Sequence, residues 1–104
     1  MATQPVLGCV TEAMEGASLL VCPHDLTRGR EDQLLSLALP ILEHGDLVLD
    51  MSRVQSIDAA GVGMLVFLRQ CADRARTTLL LVHPSDRVRE MLALMHLEDV
   101  FLGH

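Results

Sequence analysis

The stretch Asp58-Ala59-Ala60-Gly61-Val62-Gly63 constrains this chain most, because it joins a strand-like run ending at Ile57 to a long apolar helix through a corner almost free of side chains. Asp58 is placed to cap that helix by accepting the amide protons of Ala60 or Gly61. The alanines and glycines leave nothing bulky over the remaining N–H groups of the first turn. Such a corner is open to a partner or to an anion.

The segments on either side give the fold class. Val6 to Val10 and Ser18 to Cys22 are short β-type runs, and Met14-Glu15-Gly16 between them reads as the glycine-containing turn of a hairpin. After a loop over Pro23 to Thr27, apolar residues recur from about Arg30 at Leu34, Leu35, Leu37, Ala38, Ile41 and Leu42. That is the spacing of an amphipathic helix, closed by Gly45, with Pro40 able to kink its final turn. Leu47-Val48-Leu49, bounded by Asp46 and Asp50, has the continuous apolar character of a central strand buried on both faces.

In the helix beyond the corner, Gly61, Met64, Leu65, Leu68, Cys71, Ala72 and Ala75 fall on one face, which is expected to be core. Thr78 to Val82 repeats the buried-strand pattern. Pro84-Ser85 supplies a break and a cap for a third helix carrying Val88, Met91, Leu92 and Met95, and Val100-Phe101-Leu102 reads as a last strand. Strand and helix alternating after an opening hairpin predict a single α/β domain over residues 1–104. Its mixed, mostly parallel sheet has four to five strands, with three or more helices.

Composition removes several function classes. The net charge is −6, and the basic residues are eight arginines with no lysine, so a phosphate backbone is repelled overall. Phe67 and Phe101 are the only aromatic residues, too few for a base-stacking platform, and no nucleic-acid role is expected. Cys9, Cys22 and Cys71 are odd in number and lack a Cys-x-x-Cys spacing, which points to reduced, buried thiols in the cytoplasm. The N-terminus has no basic segment leading into an apolar signal core. The longest apolar run, Val62 to Leu68 interrupted by Gly63, falls far short of the ~20 residues of a spanning helix, so no membrane insertion is expected.

The same holds for chemistry. Gly61-x-Gly63 lacks the lysine of a Walker loop, and Phe67 or its neighbours stand where a dinucleotide fingerprint needs a third glycine. His24, His44, His83, His96 and His104 do not recur at i, i+4 and have no paired cysteine, so neither a metal nor another cofactor is expected. No nucleophile elbow, zinc-protease motif or bracketing pair of carboxylates argues for an enzyme. Ser56, two residues before Asp58, alternates within an extended segment. Val62 and Val66 project from the polar side of the central helix close to Asp58, with Phe67 near the border. They suit a partner contact patch, or packing beneath a loop or in a homodimer.

Taken together, Leu47-Val48-Leu49-Asp50-Met51-Ser52, then Ile57 through Leu65, then Val88-Arg89-Glu90-Met91-Leu92 with Leu97 and Val100-Phe101 resemble the STAS domain family, which includes the bacterial anti-sigma factor antagonists. The resemblance runs from about Leu19 to Leu102. In those antagonists the corner reads Asp-Ser-Ser-Gly, and the first serine is phosphorylated by a partner that is both kinase and anti-sigma factor. Here the phosphoacceptor position is Ala59 and the second serine is replaced by Ala60, so this chain has no hydroxyl to modify at either.

The resemblance also sets Asp25 close to the corner. It implies a cytoplasmic module of transcription regulation that docks a kinase-like anti-sigma factor through Asp25, Asp58, Ala59, Ala60, Gly61 and Val62, to which the apolar patch on the helix adds Val66 as a partner contact. The alternatives are a structural subunit of a signalling scaffold or transporter complex, and a sensor of a nucleotide or other small ligand.

Overall fold

The computed structural model describes residues 10–14 and 17–102. β1 (Val10–Met14) and β2 (Ala17–Val21) pair antiparallel, with Val10 opposite Leu20 and a register shift between Glu12 and Met14. A hairpin is present, but its first strand overlaps the expected Val6 to Val10 run only at Val10, and Met14 closes that strand instead of opening the turn. Val6 to Cys9, and the turn residues Glu15 and Gly16, lie outside the described residues.

The chain continues through β3 (Asp25–Leu26), α1 (Glu31–His44), β4 (Asp46–Asp50), β5 (Ser56–Ile57), α2 (Ala59–Ala75), β6 (Leu79–Val82), α3 (Asp86–Leu94) and α4 (Glu98–Leu102). The main sheet has the order β1-β2-β4-β6, with β2, β4 and β6 parallel, and β3 and β5 form a separate parallel ribbon. This is the mixed, mostly parallel α/β arrangement expected.

Register explains the core. Leu20, Leu49 and Leu81 lie opposite one another across β2, β4 and β6, and all three are buried. They pack with Leu34, Ala38 and Leu42 of α1 and with Val62, Leu65, Leu68 and Ala72 of α2. One residue along, Leu19, Val48 and Leu80 align on the opposite face, where Val48 is half-buried and Leu80 is 49% exposed. The central strand is thus fully covered on one face only, because successive side chains of a strand alternate sides and the helices seal just one of them.

Helix α1 passes through Pro40 and ends where expected, the Gly45 amide donating to the Ile41 carbonyl at 2.9 Å. Ser85 caps α3 as expected: its hydroxyl accepts from the Val88 amide at 3.3 Å and donates to the Val54 carbonyl at 2.7 Å. The C-terminal expectation fails. Val100-Phe101-Leu102 is helical, part of α4, with the Phe101 amide bonded to the Leu97 carbonyl at 3.2 Å. Three apolar residues are too few to display either period, whereas Glu98 and Asp99 supply the acidic first turn that favours a helix start. Phe101 turns into the core while Val100 stays outside, and Arg69 of α2 donates to the Val100 carbonyl.

The thiols divide by depth. Cys22 is fully buried with its sulfur 3.4 Å from that of Met51, and burial, with a smaller push from Asp50, raises its pKa to about 12. Cys71 is only half-buried and Ala75 is exposed, so the core stripe of α2 is shorter at its C-terminal end than expected. Among the described residues both cysteines are free, and no helix is long and apolar enough to cross a membrane.

Candidate functional site

The corner is built from two chain segments that are far apart in sequence. The ribbon sets Asp25 opposite Ser56 and Leu26 opposite Ile57, and the His24 carbonyl accepts the amides of Gln55 and Ser56 at 2.8 and 3.0 Å. Asp58 leaves β5 in an extended conformation, and its carboxylate then serves both segments. Oδ1 accepts the Gly61 amide at 3.0 Å, capping α2, while Oδ2 accepts the Arg28 amide at 3.1 Å, tying down the loop before α1. These bonds favour the ionised form, and the Gly61 amide, followed by that of Arg28, holds the Asp58 carboxyl below its ordinary value.

The loop from Thr27 to Arg30 is folded on itself. Asp25 accepts the Thr27 hydroxyl at 2.5 Å and faces Arg30 across a 3.9 Å ion pair, while the Arg30 amide donates to the Thr27 carbonyl at 2.9 Å. Gly29 takes φ 91°, a left-handed conformation that suits a residue without Cβ. Arg28, Gly29 and Arg30 stand exposed beside the helix start.

Within the corner, exposure is uneven. Ala59 is exposed, Asp58 and Ala60 are half-buried, and Gly63 is exposed with open space where a Cβ would be. Gly61 is buried instead, because its Cα packs against the backbone of β3, where any Cβ would meet the Leu26 carbonyl oxygen. Val62 is fully buried and belongs to the core, which corrects the expectation that it projects from the polar side of α2. The buried stripe runs through 61, 62, 64, 65, 68 and 72, the broad face of a core-packed helix, and Val62 falls within it. Val66 is half-buried and packs on that core.

Of the expected site residues, the structure therefore brings Asp25, Asp58, Ala59 and Ala60 to one surface and assigns Gly61 and Val62 to packing. It adds Arg28 and Arg30, which the sequence reading missed, together with the outward-facing Gly63. The only local signal for the arginines was their position in a polar loop just before a helix.

The arrangement suits recognition of a surface better than capture of an anion. The first-turn amide of Gly61 is already taken by the chain's own carboxylate, and an incoming anion would meet that negative charge. No group of three or more His, Cys, Asp or Glu among the described residues is placed to hold a metal ion.

A family model described as the Mlab, STAS domain matches residues 12–103, most of the chain. The chain belongs to the STAS domain family. Its fold is shared with a Thermotoga maritima protein described as a putative anti-sigma factor antagonist, at a TM-score of 0.79 and 20% identity over 90% of this chain and 82% of that one. It is shared likewise with the anti-sigma factor antagonist SpoIIAA in its unphosphorylated form, at a TM-score of 0.72 and 15% identity over 86% and 81% of the two chains. A third likeness is to the murine anion transporter Slc26a9, at a TM-score of 0.69 and 17% identity over 81% of this chain and 14% of the transporter. No curated protein matches the chain in sequence. The STAS assignment agrees with the mixed, mostly parallel main sheet and the β3-β5 ribbon.

Proposed function

We propose that this STAS domain is a non-catalytic docking module that binds a kinase-like anti-sigma factor in the bacterial cytoplasm and thereby frees a sigma factor. The observation that carries the reading is the start of α2, which is open, hydroxyl-free at Ala59 and Ala60, and held rigid by the bonds of Asp58 to Gly61 and Arg28. Rigidity lowers the cost of docking, since less freedom remains to be lost on association.

The family resemblance equates Ala59 with the phosphoacceptor. A phosphoryl group there would add about −1.5 to −2 charges beside Asp58 and repel an acidic partner face. Alanine offers no acceptor oxygen, so docking stays permitted in the presence of ATP. The exposed Arg28 and Arg30 favour a partner presenting carboxylates to this corner. Binding is favoured over catalysis because the nearby carboxylates are committed to structure, Asp58 to two amides and Asp25 to Thr27 and Arg30.

The test mixes the purified chain with an anti-sigma kinase from the same genome, with and without ATP. A complex on gel filtration under both conditions, with no mass gain on this chain, is expected. Failure to form a complex counts against the reading.

The likeness to Slc26a9 favours a second reading, a STAS subunit attached to a transporter. A high-mass assembly that retains this chain through purification from native membranes would support it.

A further inference from the structure

α1 and α2 both start near the Asp58 corner and run side by side to the opposite end of the molecule, where the Thr77 hydroxyl after α2 donates to the Leu42 carbonyl of α1 at 2.7 Å. Between the C-terminal halves of these helices lies a groove lined by Leu39, Leu42 and Glu43 of α1 and by Phe67, Cys71 and Arg74 of α2. Its floor is apolar. Phe67 is 46% exposed, an unusual position for a large side chain in a protein with only two aromatic residues, and Leu39 and Cys71 beside it are half-buried.

The charges at the groove are arranged differently from the rest of the surface. Over the whole chain acids exceed bases by six, so two copies repel one another at most relative orientations. At this groove one carboxylate, Glu43, stands on one helix and one guanidinium, Arg74, on the other. Both are exposed, and neither is in an ion pair among the described residues. A two-fold axis through the groove makes every contact reciprocal, residue i to j and j to i. With that axis along the groove, α1 of each copy faces α2 of the other, which opposes Glu43 to the other copy's Arg74 and Phe67 to the other copy's Leu39. The pattern is thus complementary to itself.

We infer that this groove is the interface of a symmetric homodimer, built from Phe67 and Leu39 at its centre and two reciprocal Glu43–Arg74 pairs at its rims. The groove runs from the middle of α2 toward its C-terminal end and takes in none of Asp58, Ala59 or Ala60, so both corners of the dimer stay free and the inference stands independently of the docking reading. A dimer carrying two free corners is bivalent, and its avidity for a multivalent partner exceeds that of either corner alone.

The test is equilibrium sedimentation of the full chain over a wide concentration range, with circular dichroism to confirm that each variant is folded. The wild type is expected to dimerise reversibly, Phe67→Asp to remain monomeric, and Glu43→Arg or Arg74→Glu alone to weaken association by about tenfold or more. Reciprocity adds a sharper requirement. Glu43→Arg mixed with Arg74→Glu should form a heterodimer of near wild-type affinity, because each arginine then meets a glutamate across the axis. The double variant should likewise restore the homodimer. A wild type monomeric at every concentration overturns the inference and leaves the groove to a partner of different sequence. Charge variants that dimerise like the wild type, or a mixture that fails to recover, overturn it as well.

Discussion

The Cα of Gly61 rests against the Leu26 carbonyl oxygen, so closely that a side chain at this position would overlap the backbone of β3 and also approach Cγ1 of Ile57 to 3.1 Å. The corner glycine is therefore a packing requirement, through which α2 is seated on the β3-β5 ribbon. Gly63, two residues on, has no such neighbour.

This contrast gives a paired prediction. Gly61→Ala must displace backbone and should destabilise the domain by about 2 kcal/mol or more. Gly63→Ala should stabilise it by about 0.5–1 kcal/mol, since alanine is the better helix former and its methyl meets open space. Urea unfolding midpoints of the two variants check both signs.

Asp58 links stability to acid. Its carboxyl is held below the ordinary aspartate value of 3.8 by the amides of Gly61 and Arg28, so the folded state prefers the ionised form more than the unfolded chain does. Its contribution is present above that ordinary value and is lost as the pH falls through the lower folded value. Asp58→Asn should therefore lower the urea midpoint at pH 7 and narrow its gap from the wild type at pH 3. An equal gap at both pH values would argue against the charged bond.

The buried thiol makes a kinetic prediction. With its pKa raised to about 12 by burial and Asp50, Cys22 should resist a thiol reagent in the folded protein, whereas half-buried Cys71 should react. In a Cys9→Ser background, quantifying labelled thiols in native buffer and in urea should give one reactive cysteine in the first and two in the second.

How much of this was legible beforehand depends on the range of the interaction involved. Leu47-Val48-Leu49 and the Asp58 cap are local signals, a strand-length apolar run and a side chain reaching three residues ahead; the strand and the cap are both realised, while the expected burial of that strand on both faces is not, since Val48 is only half-buried. The Asp58–Arg28 bond spans thirty positions and depends on pairing two strands of only two residues each, which no local pattern announces. The Arg28 and Arg30 surface was missed for that reason. Val62 was misassigned because the broad buried stripe of α2 takes in one more residue per two turns than a narrow seam would. Val100 to Leu102 failed because an apolar triplet fits a strand or a helical turn equally well, and its capping context decided the matter.

The proposed docking surface predicts a charge pattern. Arg28→Glu changes a side chain whose structural role rests on its backbone amide, so the fold should hold while affinity for an acidic partner face falls. Ala59→Asp adds one negative charge at an exposed position and should weaken docking by about tenfold or more. Circular dichroism and unfolding midpoints close to wild type would assign the losses to binding alone.

The most direct measurement of the central claim is isothermal titration of the genome's own anti-sigma kinase into this chain in the presence of ATP, followed by intact-mass analysis of the chain. The account predicts saturable binding to the wild type, weaker binding to Ala59→Asp and an unchanged mass. Absence of binding, equal affinity for Ala59→Asp, or a phosphate acquired on another hydroxyl of the corner such as Ser56 or Thr27 would contradict it.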